Sequence, residues 1–231
     1  MEEEQRWPSS LVLVRHGETS LNLIKERLKK KPTKDLIIKT PCRDMDLPLT
    51  KKGIKQAKSA GRLLKKYPKF DVIITSPYTR TKQTADEIIK ELGYKPKIYF
   101  EERTREKDFG VFDRYTKEGK KRYWPEEYDR EKWEGKYYYR PPGGENYPDV
   151  ALRIHSFLGT IIRKYSKKRI LVVTHSIIIL LFRKLLEHLS EKELLDIHDN
   201  EDLKNCSISS FIFDKEKNKN KLILKEWNRV K

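Results

Sequence analysis

Leu11-Val12-Leu13-Val14-Arg15-His16-Gly17-Glu18-Thr19 is the stretch that decides the fold class of this chain. Its apolar run is too short for a free-standing helix and stops at an arginine, a histidine and a glycine. That is the pattern of a buried strand delivering reactive groups to a sheet edge. In open α/β sheets ligands bind at the carboxyl ends of the strands. Gly17 is expected to let the backbone turn sharply there, so that its N–H approaches an anion closely. Two further stretches repeat the design. Asp71-Val-Ile-Ile-Thr-Ser76 reads as a second buried strand, and Pro77-Tyr-Thr-Arg80 opens a helix-forming run with an arginine just past the strand end. Arg169-Ile-Leu-Val-Val-Thr-His175 reads as a third and ends at another histidine. If the three strands are neighbours, their ends describe one basic pocket.

Working outward, the pattern predicts a strand over 10–15, a long loop over 20–48, a helix over 50–66, strands over 71–75 and 97–100 around a helix over 79–92, and then a loop rich in carboxylates. In the 50–66 helix, Ile54, Ala57, Gly61 and Leu64 fall three or four apart and form one sheet-facing stripe. After a polar, aromatic-rich stretch come a helix over 145–165, a strand over 169–174, helices over 177–188 and 190–198, and a closing hairpin of 207–213, a Lys/Asn turn and 221–227. Strands alternating with helices predict an α/β three-layer sandwich, a mainly parallel sheet flanked by helices on both faces. The 231 residues fit one domain, with an aromatic-rich, lid-like insertion at about 111–144.

The net charge of +17 invites a nucleic-acid reading. Lysines outnumber arginines 35 to 17, however, whereas arginine is the residue expected where bidentate phosphate or base recognition matters. The surface is therefore read as lysine-rich and solvated, with a positive field that speeds encounter with anionic substrates. The acidic start, Met-Glu-Glu-Glu-Gln-Arg, lacks a signal pattern, and the longest apolar run is interrupted by Arg183 and Lys184. A cytoplasmic protein without a membrane partner is expected. Cys42 and Cys206 are too few for a disulfide framework and lie in no metal-ligand spacing.

The ordered segments Arg15-His16-Gly17-Glu18-Thr19 with Asn22, Leu47-Pro-Leu-Thr-Lys-Lys-Gly53, Ser76-Pro-Tyr-Thr-Arg80-Thr-Lys-Gln-Thr84, Gly143-Gly-Glu145 and Thr174-His175 resemble the histidine phosphatase superfamily, with its phosphoglycerate-mutase-like fold. The resemblance runs from Arg15 to Cys206. Tyr138-Tyr-Arg-Pro-Pro-Gly-Gly-Glu145 and Asn205-Cys206 are similar to a mutase-like branch whose family name does not settle the reaction. The interval from Asn22 to Leu47 is longer and more basic than in compact members, and Ser176 stands where a glycine commonly follows the second histidine.

A phosphoryl group carries negative charge on three oxygens, so its transfer needs convergent donors and no competing carboxylate beside them. Arg15 and Arg80 can each fork onto those oxygens, and their charge disfavours the imidazolium form of His16, the candidate nucleophile. The resemblance implies the same role, His16 becoming phosphohistidine. A proton donor for the leaving alkoxide is also needed. Among Glu101, Glu102, Glu106 and Asp108 the residues alone do not choose; the family's Glu-x-x-x-Gly spacing implies Glu106. His175 is expected to donate to a phosphoryl oxygen, Asn22 to orient His16 or the phosphate, and Ser176 to place a hydroxyl nearby. His155, His188 and His198 are read as structural, as is Glu145.

The expected activity is a metal-independent phosphomonoesterase acting on a small phosphorylated substrate, with no cofactor and no nucleic-acid partner, as a monomer or homodimer. The alternatives are a phosphoglycerate mutase-type phosphotransferase, a metalloenzyme using His16, His175 and a carboxylate, which two arginines oppose, and a non-catalytic phosphate- or RNA-binding protein on the same fold.

Overall fold

The computed structural model describes residues 5–31, 34–214 and 221–230. In chain order its main elements are β1 (Ser10–Arg15), α1 (Ser20–Lys30), α2 (Lys51–Leu64), β2 (Val72–Thr75), α3 (Thr79–Leu92), β3 (Lys97–Phe100), α4 (Lys117–Tyr123), α5 (Pro125–Tyr138), α6 (Tyr147–Lys164), β4 (Arg169–Thr174), α7 (Ser176–Glu187), α8 (Glu191–Asn200), β5 (Ile208–Asp214) and β6 (Lys221–Arg229). The expected Lys/Asn turn at 215–220 and the first four residues of the acidic start lie outside the described residues.

Six strands form one mixed sheet in the order β3-β2-β4-β1-β5-β6. The first four run parallel, and β5 pairs antiparallel with both β1 and β6. Side chains alternate across a strand, so the apolar runs serve two cores. Leu11, Leu13, Val72, Ile74, Ile170 and Val172 pack with Ile154 and Phe157 of α6 and Ile178 and Phe182 of α7. Val12, Val14, Ile73, Leu171 and Val173 face the other way, onto Leu64 of α2 and Ala85, Ile88 and Leu92 of α3. This is the predicted three-layer α/β sandwich, and it explains why these strands read as unbroken apolar runs rather than alternating ones.

Three expectations are corrected. The segment 20–48 opens with a helix rather than a loop, because Thr19 and Asn22 form a reciprocal cap at its start and Leu21, Ile24 and Leu28 make one apolar edge against Ile38 and Leu47. In α2 the buried stripe is Gly53, Ala57, Ala60, Gly61 and Leu64, while Ile54 faces solvent. His155, read as a structural residue, is exposed on α6.

The aromatic-rich stretch folds into α4 and α5. It is tied to the 35–37 segment by the Thr116 hydroxyl on the Asp35 carbonyl (2.7 Å) and a bridge between Ile37 and Tyr115. Tyr137 stacks on Tyr147 of α6, and Lys136 pairs with Asp199 of α8. No helix among the described residues is long and apolar enough to cross a membrane.

β2, β4 and β1 are adjacent, so their carboxyl ends present Ser76, Thr174 and Arg15 side by side. The chain leaving β1 crosses the start of α2 with backbone against backbone. A Cβ on Gly17 would lie 2.6 Å from the Gly53 carbonyl oxygen, and one on Gly53 would lie 2.3 Å from that of Glu18. Both glycines are required by close approach, and the Gly17 N–H donates to Thr84 Oγ1 (3.0 Å). The expectation that Gly17 offers its amide to an anion is thereby replaced: the amide is already used inside the protein.

Candidate active site

His16 follows β1 and is buried, its backbone N–H held by the Thr174 carbonyl of β4 (2.9 Å). Its Nδ1 lies 2.8 Å from the Gly17 carbonyl. A carbonyl only accepts, so Nδ1 carries the proton and Nε2 presents a lone pair. Arg80 Nε donates to that lone pair at 3.2 Å. Burial is the largest influence holding the imidazole well below its usual range, with Arg80 and then Arg15 adding to it. The arginines, expected from the sequence to produce this effect alone, come second to burial.

Arg80 enters from the first turn of α3 and is 4% exposed. Tyr78 covers it, ring against guanidinium at 4.7 Å, and sets an edge against His175 at 5.0 Å. Against expectation, a carboxylate stands beside this arginine. Asp44, on the short turn 44–46, accepts from Arg80 Nη1 through its backbone carbonyl (2.6 Å) and from Nη2 through Oδ2 (3.0 Å). Arg15 anchors Nη1 on the Leu203 carbonyl, and its buried Nε has no partner among the described residues.

His175, at the end of β4, is completely buried, and its ring meets that of His16 edge-on at 5.2 Å. Nε2 bonds Ser76 Oγ (2.9 Å), while Nδ1 has no hydrogen-bond partner among the described residues and lies 3.8 Å from Glu106 Oε2. Burial followed by Arg80 keeps this imidazole, too, well below its usual range. Ser176 begins α7 and lines the same cavity, so its hydroxyl is brought to the site together with a helix N-terminus.

The structure separates the four rival carboxylates. Glu101 is paired with Arg103 (2.7 Å), Glu102 is exposed, and Asp108 is exposed and accepts from the Gly110 N–H (2.8 Å). Glu106 alone among them lines the cavity. Its loop is fixed by Thr174 Oγ1 on the Thr104 carbonyl (2.7 Å) and by Arg153 on the carbonyls of Arg103 (2.6 Å) and Glu106 (3.2 Å). Arg153 is itself held by Glu145, which also accepts from Arg105 and the Asp108 N–H. Glu145 thus serves structure, as read. Burial pushes the Glu106 carboxyl above the ordinary glutamate range, against the pull of Arg80 and the Lys107 N–H.

Asn22 lines the cavity, but its side-chain oxygen is committed to the α1 cap, accepting from the Thr19 N–H (3.0 Å). It reaches His16 indirectly: Asn205 Nδ2 bridges the His16 carbonyl (3.0 Å) and Asn22 Oδ1 (3.3 Å). Asn205 was quoted in the sequence only as part of a resembling segment; its work on His16 has no local signature. The cavity, about 650 Å³, continues past Lys25 and Lys29 of α1 to Asp199 and Asp202. His198, read as structural, also lines the cavity. Of residues 111–144, Asp113 lines the cavity. No group of three or more His, Cys, Asp or Glu side chains among the described residues is placed to hold a metal ion.

A six-stranded α/β sheet with this strand-end cluster defines the phosphoglycerate-mutase-like fold. Residues 11–226 match the model of the histidine phosphatase superfamily (branch 1), and the chain belongs to that superfamily. A 2,3-bisphosphoglycerate-dependent phosphoglycerate mutase of Methylobacterium radiotolerans is 32% identical over 192 residues, which cover 81% of this chain and 83% of that one. One of the same name from Rhizobium meliloti is 30% identical over 193 residues, covering 82% and 84%. Among solved structures, the alpha-ribazole phosphatase from Shigella flexneri superposes with a TM-score of 0.76 at 20% identity over 96% of each chain. A mycobacterial glucosyl-3-phosphoglycerate phosphatase gives 0.71 at 20% identity over 95% of this chain and 98% of that one. At such identities the shared fold is what these structures show.

Proposed function

We propose that the protein is a metal-independent phosphomonoesterase that cleaves small phosphorylated metabolites through a phosphohistidine on His16. The observation that carries this reading is the His16 ring: Nδ1–H on the Gly17 carbonyl leaves a buried, neutral Nε2 lone pair facing Arg80. Nε2 attacks phosphorus and the P–O ester bond breaks, while Glu106 gives its proton to the departing oxygen. Water then attacks phosphorus, Glu106 takes its proton, and the P–N bond breaks to restore the lone pair. Arg80, Arg15 Nε and His175 Nδ1 stabilise the phosphoryl oxygens; the last two are buried nitrogens without a hydrogen-bond partner among the described residues, and a bound oxyanion supplies an acceptor to each. Asn22 acts through Asn205 on the His16 backbone, and Ser176 adds a hydroxyl at the rim. On this reading the protein works in the cytoplasm as a monomer or homodimer.

The mutase reading rests on the names of the curated relatives. The two reactions share the first step and differ in whether water or a second substrate hydroxyl accepts the phosphoryl group. The cavity is also lined by the charged Lys25, Lys29, Asp199 and Asp202, a lining that suits the entry of water, and this supports hydrolysis as the reading taken here. The test is phosphate release from a panel including p-nitrophenyl phosphate and 3-phosphoglycerate in EDTA, with acid-labile ³²P on the protein trapped by quenching. Release and labelling that both vanish in His16→Ala are expected. Isomerisation of 3-phosphoglycerate after priming with the bisphosphate, without net release, would replace hydrolysis by the mutase reaction. Turnover by a folded His16→Ala protein would refute the covalent route.

A further inference from the structure

The carboxylate beside Arg80 has no part in the bond-breaking steps, and its position is unexpected for an anion-binding pocket. Arg80 has five N–H donors. One meets His16 Nε2, one the Asp44 carbonyl, and one Asp44 Oδ2. The ion pair is largely buried, with side-chain exposures of 5% and 24%, and Asp44 lines the cavity together with Arg15, His16 and Lys25. The backbone carbonyl, at 2.6 Å, already fixes the direction of the guanidinium. What the Asp44 side chain adds is a negative charge at the place where phosphoryl oxygens arrive.

Resting on the phosphatase reading above, we propose that Asp44 is a built-in competitor for Arg80 that weakens the hold on inorganic phosphate and so speeds product departure. Arg15, Arg80 and Lys25 together would bind free phosphate tightly, and a product held tightly limits turnover. A carboxylate 3.0 Å from Nη2 neutralises part of that field, so an arriving phosphate meets a guanidinium whose charge is already partly compensated and two of whose N–H donors are still open. The same charge is present when phosphate leaves. A purely positioning role predicts the opposite sign: loss of the carboxylate would loosen Arg80 and weaken phosphate binding.

The experiment is calorimetric titration of inorganic phosphate into the full-length wild type, Asp44→Asn and Asp44→Ser at fixed pH and ionic strength, with Arg80→Ala as control. Asparagine keeps the shape and an acceptor oxygen; serine removes the charge by a different route should asparagine misfold. Phosphate is expected to bind about tenfold more tightly to the Asp44 variants, the scale of one charge at this range when water screens most of its field. Its inhibition constant against p-nitrophenyl phosphate should fall by the same factor. Unchanged or weaker binding in a folded Asp44 variant overturns the inference while leaving the phosphatase standing, provided that the wild type binds phosphate and Arg80→Ala does not. Absence of phosphate binding in wild type and variants alike overturns both.

Discussion

Replacing Glu106 by glutamine isolates a single proton. Glutamine has the shape of a protonated carboxyl and keeps an acceptor for the Lys107 N–H, 3.0 Å away in the native loop. It also leaves the neutral form of the site unchanged in charge toward Arg80, Lys25 and His175. What it lacks is the proton for the leaving oxygen. Burial, helped by Asp44 and opposed by Arg80 and Lys25, holds the Glu106 pKa above its ordinary value, so a protonated carboxyl persists further toward neutrality than on a free glutamate. General acid catalysis contributes roughly 10²–10⁴-fold, about 3–5 kcal/mol of barrier. The kcat/KM for an alkyl phosphate is therefore expected to fall by roughly 10²–10⁴-fold. For p-nitrophenyl phosphate, whose leaving group departs without protonation, the loss should stay within about tenfold. This ratio reports steps only through P–O cleavage, so the later use of Glu106 as a base does not blur the comparison. The sign of the pH dependence follows from the active form being protonated: the wild-type rate with the alkyl ester falls as pH rises through the Glu106 pKa, and the glutamine variant lacks that limb. Steady-state assays of both esters across pH decide the matter. Equal losses on the two esters, or a basic limb that survives in the variant, would refute Glu106 as the acid.

Gly53→Ala places a Cβ 2.3 Å from the Glu18 carbonyl oxygen, and the backbone crossing must open; urea unfolding should show a loss of about 2–3 kcal/mol. Ser76→Ala removes the hydroxyl on His175 Nε2, which in the proposed mechanism donates to that nitrogen while Nδ1–H faces the phosphoryl group. A decrease in kcat/KM of about tenfold at unchanged melting cooperativity is expected. Glu145→Gln tests the brace on the Glu106 loop. Burial would raise this carboxyl, but Arg153, the Asp108 N–H and Arg105 outweigh it, and its pKa lies below the ordinary value. Its stabilisation, about 1–3 kcal/mol, is present above the unfolded-state pKa and lost as pH falls through the folded one. Wild type and variant should differ at neutral pH, and the difference should shrink as pH falls below the ordinary glutamate pKa of about 4.3.

The sheet and its pocket were legible because burial on both faces writes itself into sequence as short unbroken apolar runs, and three such runs end in Arg15-His16, Arg80 and His175. What those runs could not convey is how backbone meets backbone. Gly17 looks like an anion turn until Gly53 is seen beneath it, a contact between segments far apart in sequence. α1 was hidden by its lysines, although the Thr19–Asn22 cap and the spacing of Leu21, Ile24 and Leu28 were available signals. Glu106 needed the family spacing because its distinction from Glu101, Glu102 and Asp108 is made by Thr174 and Arg153, which fix its loop from distant elements. Asp44 and Asn205 carry no local pattern at all, since each acts on a residue brought to it only by the tertiary fold.

The sheet order also dictates a sequence of events during synthesis. β1 pairs with β4 and β5 and never with β2, so everything from Leu11 to Val14 waits without a strand partner until Arg169–Thr174 has been made. Most of the polypeptide must emerge before the first strand can be enclosed, and non-local pairing of this kind is slow to nucleate. The nascent chain thus carries an uncovered apolar ribbon beside an arginine and a histidine that cannot yet meet Arg80. Assembly of the pocket and completion of the central sheet are one event, so a truncated product ending before residue 169 is expected to lack the pocket and to leave that apolar ribbon uncovered.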